Sequence, residues 1–325
     1  MNAAPVDVEK KKILVTGLDN AGKTTLIDLV QNKMVKTLSA QPTRGIARRE
    51  AEIMGHTIAI HDLGGQEQYR AQYLAQPVKY LDETNAYIFV VDIQDKVRYG
   101  VAVGYFEATI GLLDGLGIHP RMFVLFHKFD HAYQVDYNDP RTRVREEFNA
   151  LKDKFTASAQ KYNCTIDEFF KTSIFEEWSC YAAFSAVWSS IITRLESTQA
   201  YLDRLAETIP DVILALLLDS QGNLLAKKLA AASLDSAVEL VELTNKAINA
   251  LLAFRSSKIG VSLGETNLVT VNIAGQTVFI RGFESSEKPY YLILAKKAGD
   301  DLETRGILNH LTYSLSVFLA ASENT

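Results

Sequence analysis

Gly17-Leu18-Asp19-Asn20-Ala21-Gly22-Lys23-Thr24 follows the spacing G-x-x-x-x-G-K-[ST]. A string of this kind cradles phosphate. Its glycines let backbone N–H groups approach phosphate oxygens, and the helix that follows turns its N-terminus toward negative charge. Lys23 can reach β- and γ-phosphates, and the Thr24 hydroxyl can ligate Mg²⁺. Asp19, Asn20, Ala21, Gly22 and Thr25 complete the expected nucleotide-binding stretch.

Three further clusters extend that chemistry. Asp62-Leu63-Gly64-Gly65-Gln66 follows an expected strand. Asp62 is placed to hold Mg²⁺ through a water, Gly65 to offer its N–H to a γ-phosphate, and Gln66 to orient an attacking water. His127-Lys128-Phe129-Asp130 ends another strand. The Asp130 carboxylate can accept from the N1–H and 2-amino group of guanine, a donor pair that adenine lacks. Hydrogen bonds to a charged group contribute about 1.5–3 kcal/mol each, enough to select the base. The Lys128 stem can pack on that base, and His127 stands where an asparagine is usual. The backbone of Thr172-Ser173-Ile174, with Ser173 and Ile174 foremost, can meet the guanine edge. Between the first two clusters lies Gln41-Pro42-Thr43-Arg44-Gly45, where Thr43 can close over Mg²⁺ and the γ-phosphate and Arg44 reads as a solvated neighbour.

These clusters need a scaffold that brings strand ends together. Lys12–Thr16, Ala86–Asp92 and Met122–Phe126 are short apolar runs, suited to parallel strands buried on both faces. Ala47–Ile53 and Thr57–Asp62 read as a hairpin, residues 101–115 and Glu146–Lys161 as helices, and Phe169–Ser173 as a further strand. Strands alternating with helices predict a doubly wound, mostly parallel six-stranded α/β sheet, whose ligands sit beyond the carboxyl ends of its strands. From Glu176 to Ile209 no Gly or Pro interrupts a long helical stretch, which Pro210 ends. A second, smaller α/β domain follows, with the order helix, two strands, helix (Ser233–Phe254), three strands, helix. The expected organisation is a loose tail over 1–10, a nucleotide-binding domain over 11–196 and the second domain over 197–325.

Composition sets the outer limits. The chain has 325 residues, 47% hydrophobic and 22% charged, sufficient for two cores. A net charge of −5 disfavours nucleic acid as the main partner. Cys164 and Cys180 are too few for a disulfide framework and read as reduced thiols of a cytoplasmic protein. His56, His61, His119 and His131 show no metal-ligand spacing. No signal peptide, lipidation signal or apolar run of about 18 residues is seen, so direct membrane anchoring is not expected and recruitment would come through partners.

Together these motifs resemble the Ras superfamily of small GTPases. Gly17–Thr25, with Asp19, and Pro42-Thr43-Arg44-Gly45 are similar to the Arf and Arf-like branch. His127-Lys128-Phe129-Asp130 and Thr172-Ser173-Ile174 are similar to Rag GTPases. The second domain resembles the roadblock (longin-like) fold, in element order and in Leu218-Asp219-Ser220-Gln221-Gly222-Asn223. The resemblance implies a P-loop GTPase that binds GTP and GDP with Mg²⁺, with Gln66 as its catalytic residue. It also implies activating and exchange partners, and a homo- or heterodimer formed through the roadblock-like domain. Two functions stay open: a regulatory switch that hydrolyses GTP slowly, or a GTP-stabilised dimerisation scaffold with negligible hydrolysis.

Overall fold

The computed structural model describes residues 10–31, 45–53, 56–207, 209, 211–220, 222–229, 243–251, 268–273, 275–297 and 301–323. The chain divides into two compact units, Met1–Ile191 and Ile192–Thr325.

The N-terminal unit is built on six strands: β1 (Lys11–Gly17), β2 (Ile46–Ile53), β3 (His56–Leu63), β4 (Ala86–Asp92), β5 (Arg121–His127) and β6 (Glu168–Thr172). Their order in the sheet is β2-β3-β1-β4-β5-β6. The β2–β3 pair is the expected antiparallel hairpin, and every other pairing is parallel. Among the described residues seven α-helices accompany them: α1 (Lys23–Val30), α2 (Glu67–Ala75), α3 (Pro77–Leu81), α4 (Tyr99–Gly115), α5 (His131–Asn138), α6 (Val144–Lys161) and α7 (Glu177–Ile191).

Successive strand residues face opposite sides of the sheet, and both sides are covered. Leu14, Tyr87, Phe89, Val124 and Phe126 share one core cluster with Phe106 and Ile110 of α4 and Phe148 and Phe155 of α6. Their neighbours Ile13, Val15, Ile88, Val90 and Leu125 are equally buried and lie outside that cluster, on the side where α1 and α7 pack together. Burial on both sides is why these strands read as unbroken apolar runs. Chain order reverses at β1, flanked by β3 and β4, so the crevice at its carboxyl end is the natural ligand position.

The expected single helix from Glu176 is two helices, α7 and α8 (Thr193–Glu207), separated at Ile192. Each has its own buried stripe: Cys180, Ala183, Phe184, Val187 and Trp188 in α7, and Leu195, Thr198, Leu202 and Ala206 in α8. Satisfying two separate cores overrides the local tendency to continue one helix, and it places the division of the chain ahead of the expected 196/197 boundary.

The C-terminal unit has an antiparallel sheet of β7 (Val212–Asp219), β8 (Leu224–Leu229), β9 (Leu268–Ile273), β10 (Gln276–Ser285) and β11 (Lys288–Lys297). Its order is β8-β7-β11-β10-β9. Helix α8 packs on β7 and β8, and α10 (Asp301–Glu323) packs on β10. A helical segment over 243–251, α9, carries buried Leu243, Ala247, Ile248 and Leu251. The rest of the helix expected over Ser233–Phe254 lies outside the described residues. The β7–β8 turn is closed by the Asp219 carboxylate, which accepts from the Asn223 backbone N–H and side-chain amide, each at 2.8 Å. Among the described residues, no helix is long and apolar enough to cross a membrane.

Candidate functional site

The phosphate loop leaves β1 at Gly17 and enters α1 at Lys23. Asn20 and Gly22 both take left-handed backbone, with φ of 59° and 87°. At Gly22 a Cβ would stand 2.5 Å from His127 Cδ2 and 2.8 Å from Nε2, so the position has neither the room nor the φ for a side chain. Lys23 is buried, and its Nζ donates to the carbonyls of Leu18 at 2.8 Å and Gly17 at 3.2 Å. Burial pulls its ammonium down to about 8, opposed by the charges of Asp62 and Asp19. Ala21 is buried, and Thr25 stands half-buried in the first turn of α1.

Asp62, near the end of β3, comes directly to this loop. Thr24 Oγ1 donates to Asp62 Oδ2 at 2.6 Å. Two hard oxygen donors therefore meet at one point, a set that suits Mg²⁺, which takes few protein ligands. Among the described residues no cluster of three or more His, Cys, Asp or Glu could hold a metal. Gly65 lies against the phosphate loop. A Cβ there would be 2.2 Å from both the Leu18 carbonyl carbon and the Asp19 nitrogen. Gln66 caps α2 from extended backbone and is half-buried. The same segment is tied to β2, since the Gly45 carbonyl accepts from Gly64 N–H and Tyr73 OH, both at 2.8 Å.

A second cluster forms where β5 and β6 end. Ser173 Oγ donates to Asp130 Oδ1 at 2.5 Å, and Gln94 Nε2 donates to Oδ2 at 3.1 Å. The same Gln94 amide reaches the Lys128 carbonyl at 2.8 Å. Lys128, at φ 61°, directs its Nζ to Asp92 Oδ2 at 2.6 Å. Phe129 points inward, edge-on to Tyr133, Tyr137 and Phe148. Ile174 is half-buried beside Ser173.

His127 links the two clusters. It is buried, its Nδ1 lies 2.9 Å from Thr172 Oγ1, and its ring lies against Gly22. Burial, reinforced by the charge of Lys128, lowers its pKa to about 4, so the ring is neutral at pH 7.

The structure thus gathers Asp19 to Thr25, Asp62, Gly65, Gln66, His127, Lys128, Asp130, Ser173 and Ile174 at the carboxyl ends of β1, β3, β5 and β6. Thr43 and Arg44 lie outside the described residues. Residues not singled out by sequence also enter: Asp92, Gln94, Arg70 and Arg98. Arg70 Nε donates to the Gly65 carbonyl at 2.9 Å, and Arg98 Nη1 donates to Asp19 Oδ1 at 2.9 Å. Only the carboxylate closing the β4 run, Asp92, left a local signal.

The chain is 37% identical over 98 residues to ADP-ribosylation factor-like protein 3 of Chlamydomonas reinhardtii, covering 30% of this chain and 51% of that protein. It is 39% identical over 87 residues to ADP-ribosylation factor-like protein alp41 of Schizosaccharomyces pombe, covering 27% and 44%. The chain spans about half the length of the curated relatives it matches. Among solved structures it is similar to the Arl6 small GTPase of Trypanosoma brucei with bound GppNp, at 20% identity and a TM-score of 0.43, covering 56% of this chain and 98% of that one. The model of the Gtr1/RagA G protein conserved region matches residues 12–247, a span that holds the phosphate loop, Asp62, Asp130 and Ser173. That match takes in well over half the chain, which belongs to the Gtr1/RagA family of G proteins.

Proposed function

We propose that this chain is a regulatory switch that binds guanine nucleotide with Mg²⁺, hydrolyses GTP to GDP slowly, and selects partners by its bound state. One observation supports the reading: the Thr24–Asp62 pair and the Asp130–Ser173 pair lie at the carboxyl ends of strands of a single sheet.

Each residue has a definable task. Backbone N–H groups from Asp19 to Gly22 receive phosphate oxygens, and the Lys23 ammonium, already inside the loop, adds a positive charge. Thr24 and Asp62 would hold Mg²⁺, which neutralises phosphate charge when bound. Asp130 accepts from the guanine N1–H and 2-amino group, with Ser173 and Gln94 fixing its carboxylate. Gln66 orients the attacking water, and Thr43 closes over the metal and γ-phosphate. Because this machinery positions and lacks a strong base, intrinsic turnover is slow, on the order of 10⁻⁴ to 10⁻² s⁻¹, until an activating partner contributes. An exchange partner would release GDP. The C-terminal unit acts as a roadblock-type platform for homo- or heterodimers, and membranes are reached through partners.

Single-turnover hydrolysis by the purified chain with Mg²⁺ tests this. GTP is cleaved and ATP is not, and Gln66→Leu lowers GTP cleavage about tenfold or more while binding is kept. Equal cleavage of GTP by the variant would remove Gln66 from the mechanism. Tight binding with no cleavage, even with an activating partner, would favour a dimerisation scaffold.

A further inference from the structure

Asp19 is an awkward residue for a phosphate loop. The loop recruits backbone N–H groups and one ammonium to attract negative charge, and a carboxylate among them opposes that. The structure shows what offsets it. Arg98 stands at the end of a 3-10 turn, Lys96–Arg98, at the entry to α4. Its Nη1 donates to Asp19 Oδ1 at 2.9 Å and its Nη2 to the Asp19 carbonyl at 3.3 Å. Its Nε donates to Asp95 Oδ2 at 2.5 Å, which holds the planar guanidinium in place. The guanidinium therefore meets both the side chain and the backbone of one loop residue.

The Arg98 and Asp19 side chains are 33% and 45% exposed. An ion pair that open contributes little to folding. Its field falls on the loop instead, because Asp19 is one of the residues that would face phosphate. GTP differs from GDP by one further phosphate and its added negative charge. A bare Asp19 carboxylate would repel the triphosphate more than the diphosphate.

We propose that Arg98 is a positioning and specificity residue that neutralises Asp19 and thereby lets the site hold the triphosphate rather than favour the diphosphate. This rests on the guanine-nucleotide reading given above. Arg98 touches no reacting atom and acts through Asp19. It also couples the 3-10 turn to the nucleotide state: adding the third phosphate increases the demand on the Arg98–Asp19 contact, and losing that phosphate relaxes it.

The test is the affinity ratio of a non-hydrolysable GTP analogue to GDP, measured with Mg²⁺ on the full chain. Variants are Arg98→Ala, Arg98→Lys, Asp19→Asn and the Arg98→Ala/Asp19→Asn double, with thermal unfolding to confirm that each is folded. Arg98→Ala is expected to lower the triphosphate-to-diphosphate ratio about tenfold, with the loss shrinking at high salt. Arg98→Lys recovers part of the ratio. The double variant returns it to within about twofold of the unsubstituted chain, because the charge that Arg98 offset is gone. A merely structural role would weaken both nucleotides equally and leave the double variant as impaired as the single one; either result overturns the proposal. An unchanged ratio in Arg98→Ala also overturns it. Failure of the unsubstituted chain to bind either nucleotide would instead sink the guanine-nucleotide reading itself.

Discussion

Gly22 lies under two demands, a left-handed φ of 87° and a neighbouring His127 ring whose Cδ2 would lie 2.5 Å from any added Cβ. Gly22→Ala would force a left-handed φ on an L side chain, at about 1–2 kcal/mol, and drive a methyl into a buried imidazole, at about 1–3 kcal/mol more. The variant is expected to lose about 2–5 kcal/mol in urea unfolding, and an unchanged midpoint would contradict the described contact. Residues of this sort are legible in sequence where the chemistry is local. The phosphate loop declares itself in eight consecutive letters, and Asp62, Gln66 and Asp130 sit at strand ends that hydropathy marks. Arg98 is different: it meets Asp19 across 79 positions of chain. No spacing rule connects them, because the fold alone brings that turn beside the loop. The same holds for Gln94 and Asp130, 36 positions apart.

At the scale of elements, the ends of β5 and β6 and the phosphate loop meet through one buried imidazole. The His127 ring is held neutral by burial, with Lys128 acting in the same direction and Asp130, Asp92 and the Thr172 contact opposing it. An unfolded histidine titrates near 6.5 and this one near 4. Between those values the unfolded chain takes up a proton that the folded chain refuses, so the stability from this group is complete above pH 6.5 and is lost as pH falls toward 4. The loss attributable to His127 is on the order of 2–3 kcal/mol by pH 4. Urea midpoints from pH 7 to 4.5 check this: His127→Asn should show a shallower decline than the unsubstituted chain, and parallel declines would contradict it. Element types were readable where one signal dominated, as in the apolar runs of β4, β5 and β7. Two features were not. The β10–β11 turn uses Ser286 and Glu287, both at positive φ, where Asn-Gly or a glycine would have announced it. The break at Ile192 follows from separate cores claiming α7 and α8, and no local breaker marks it.

On the scale of the whole molecule, one chain joins a doubly wound sheet that carries the described candidate site residues to an antiparallel sheet that carries none of them. Under the proposed reading, the first unit would sense the nucleotide and the second would assemble. The two-unit plan was visible in the sequence through the change from strand–helix alternation to three late strands in succession. The boundary expected at 196/197 stands a few residues from the division at Ile191/Ile192, inside a helical stretch that lacks Gly and Pro. All of this depends on the carboxyl ends of these strands forming a guanine site, and equilibrium binding of GDP against ADP to the full chain, with Mg²⁺, probes that most directly. The account predicts GDP binding at least about a hundredfold tighter than ADP, with Asp130→Ala removing most of the preference, as two hydrogen bonds to a carboxylate imply. Equal affinity for the two nucleotides, or a preference that survives Asp130→Ala, would contradict it.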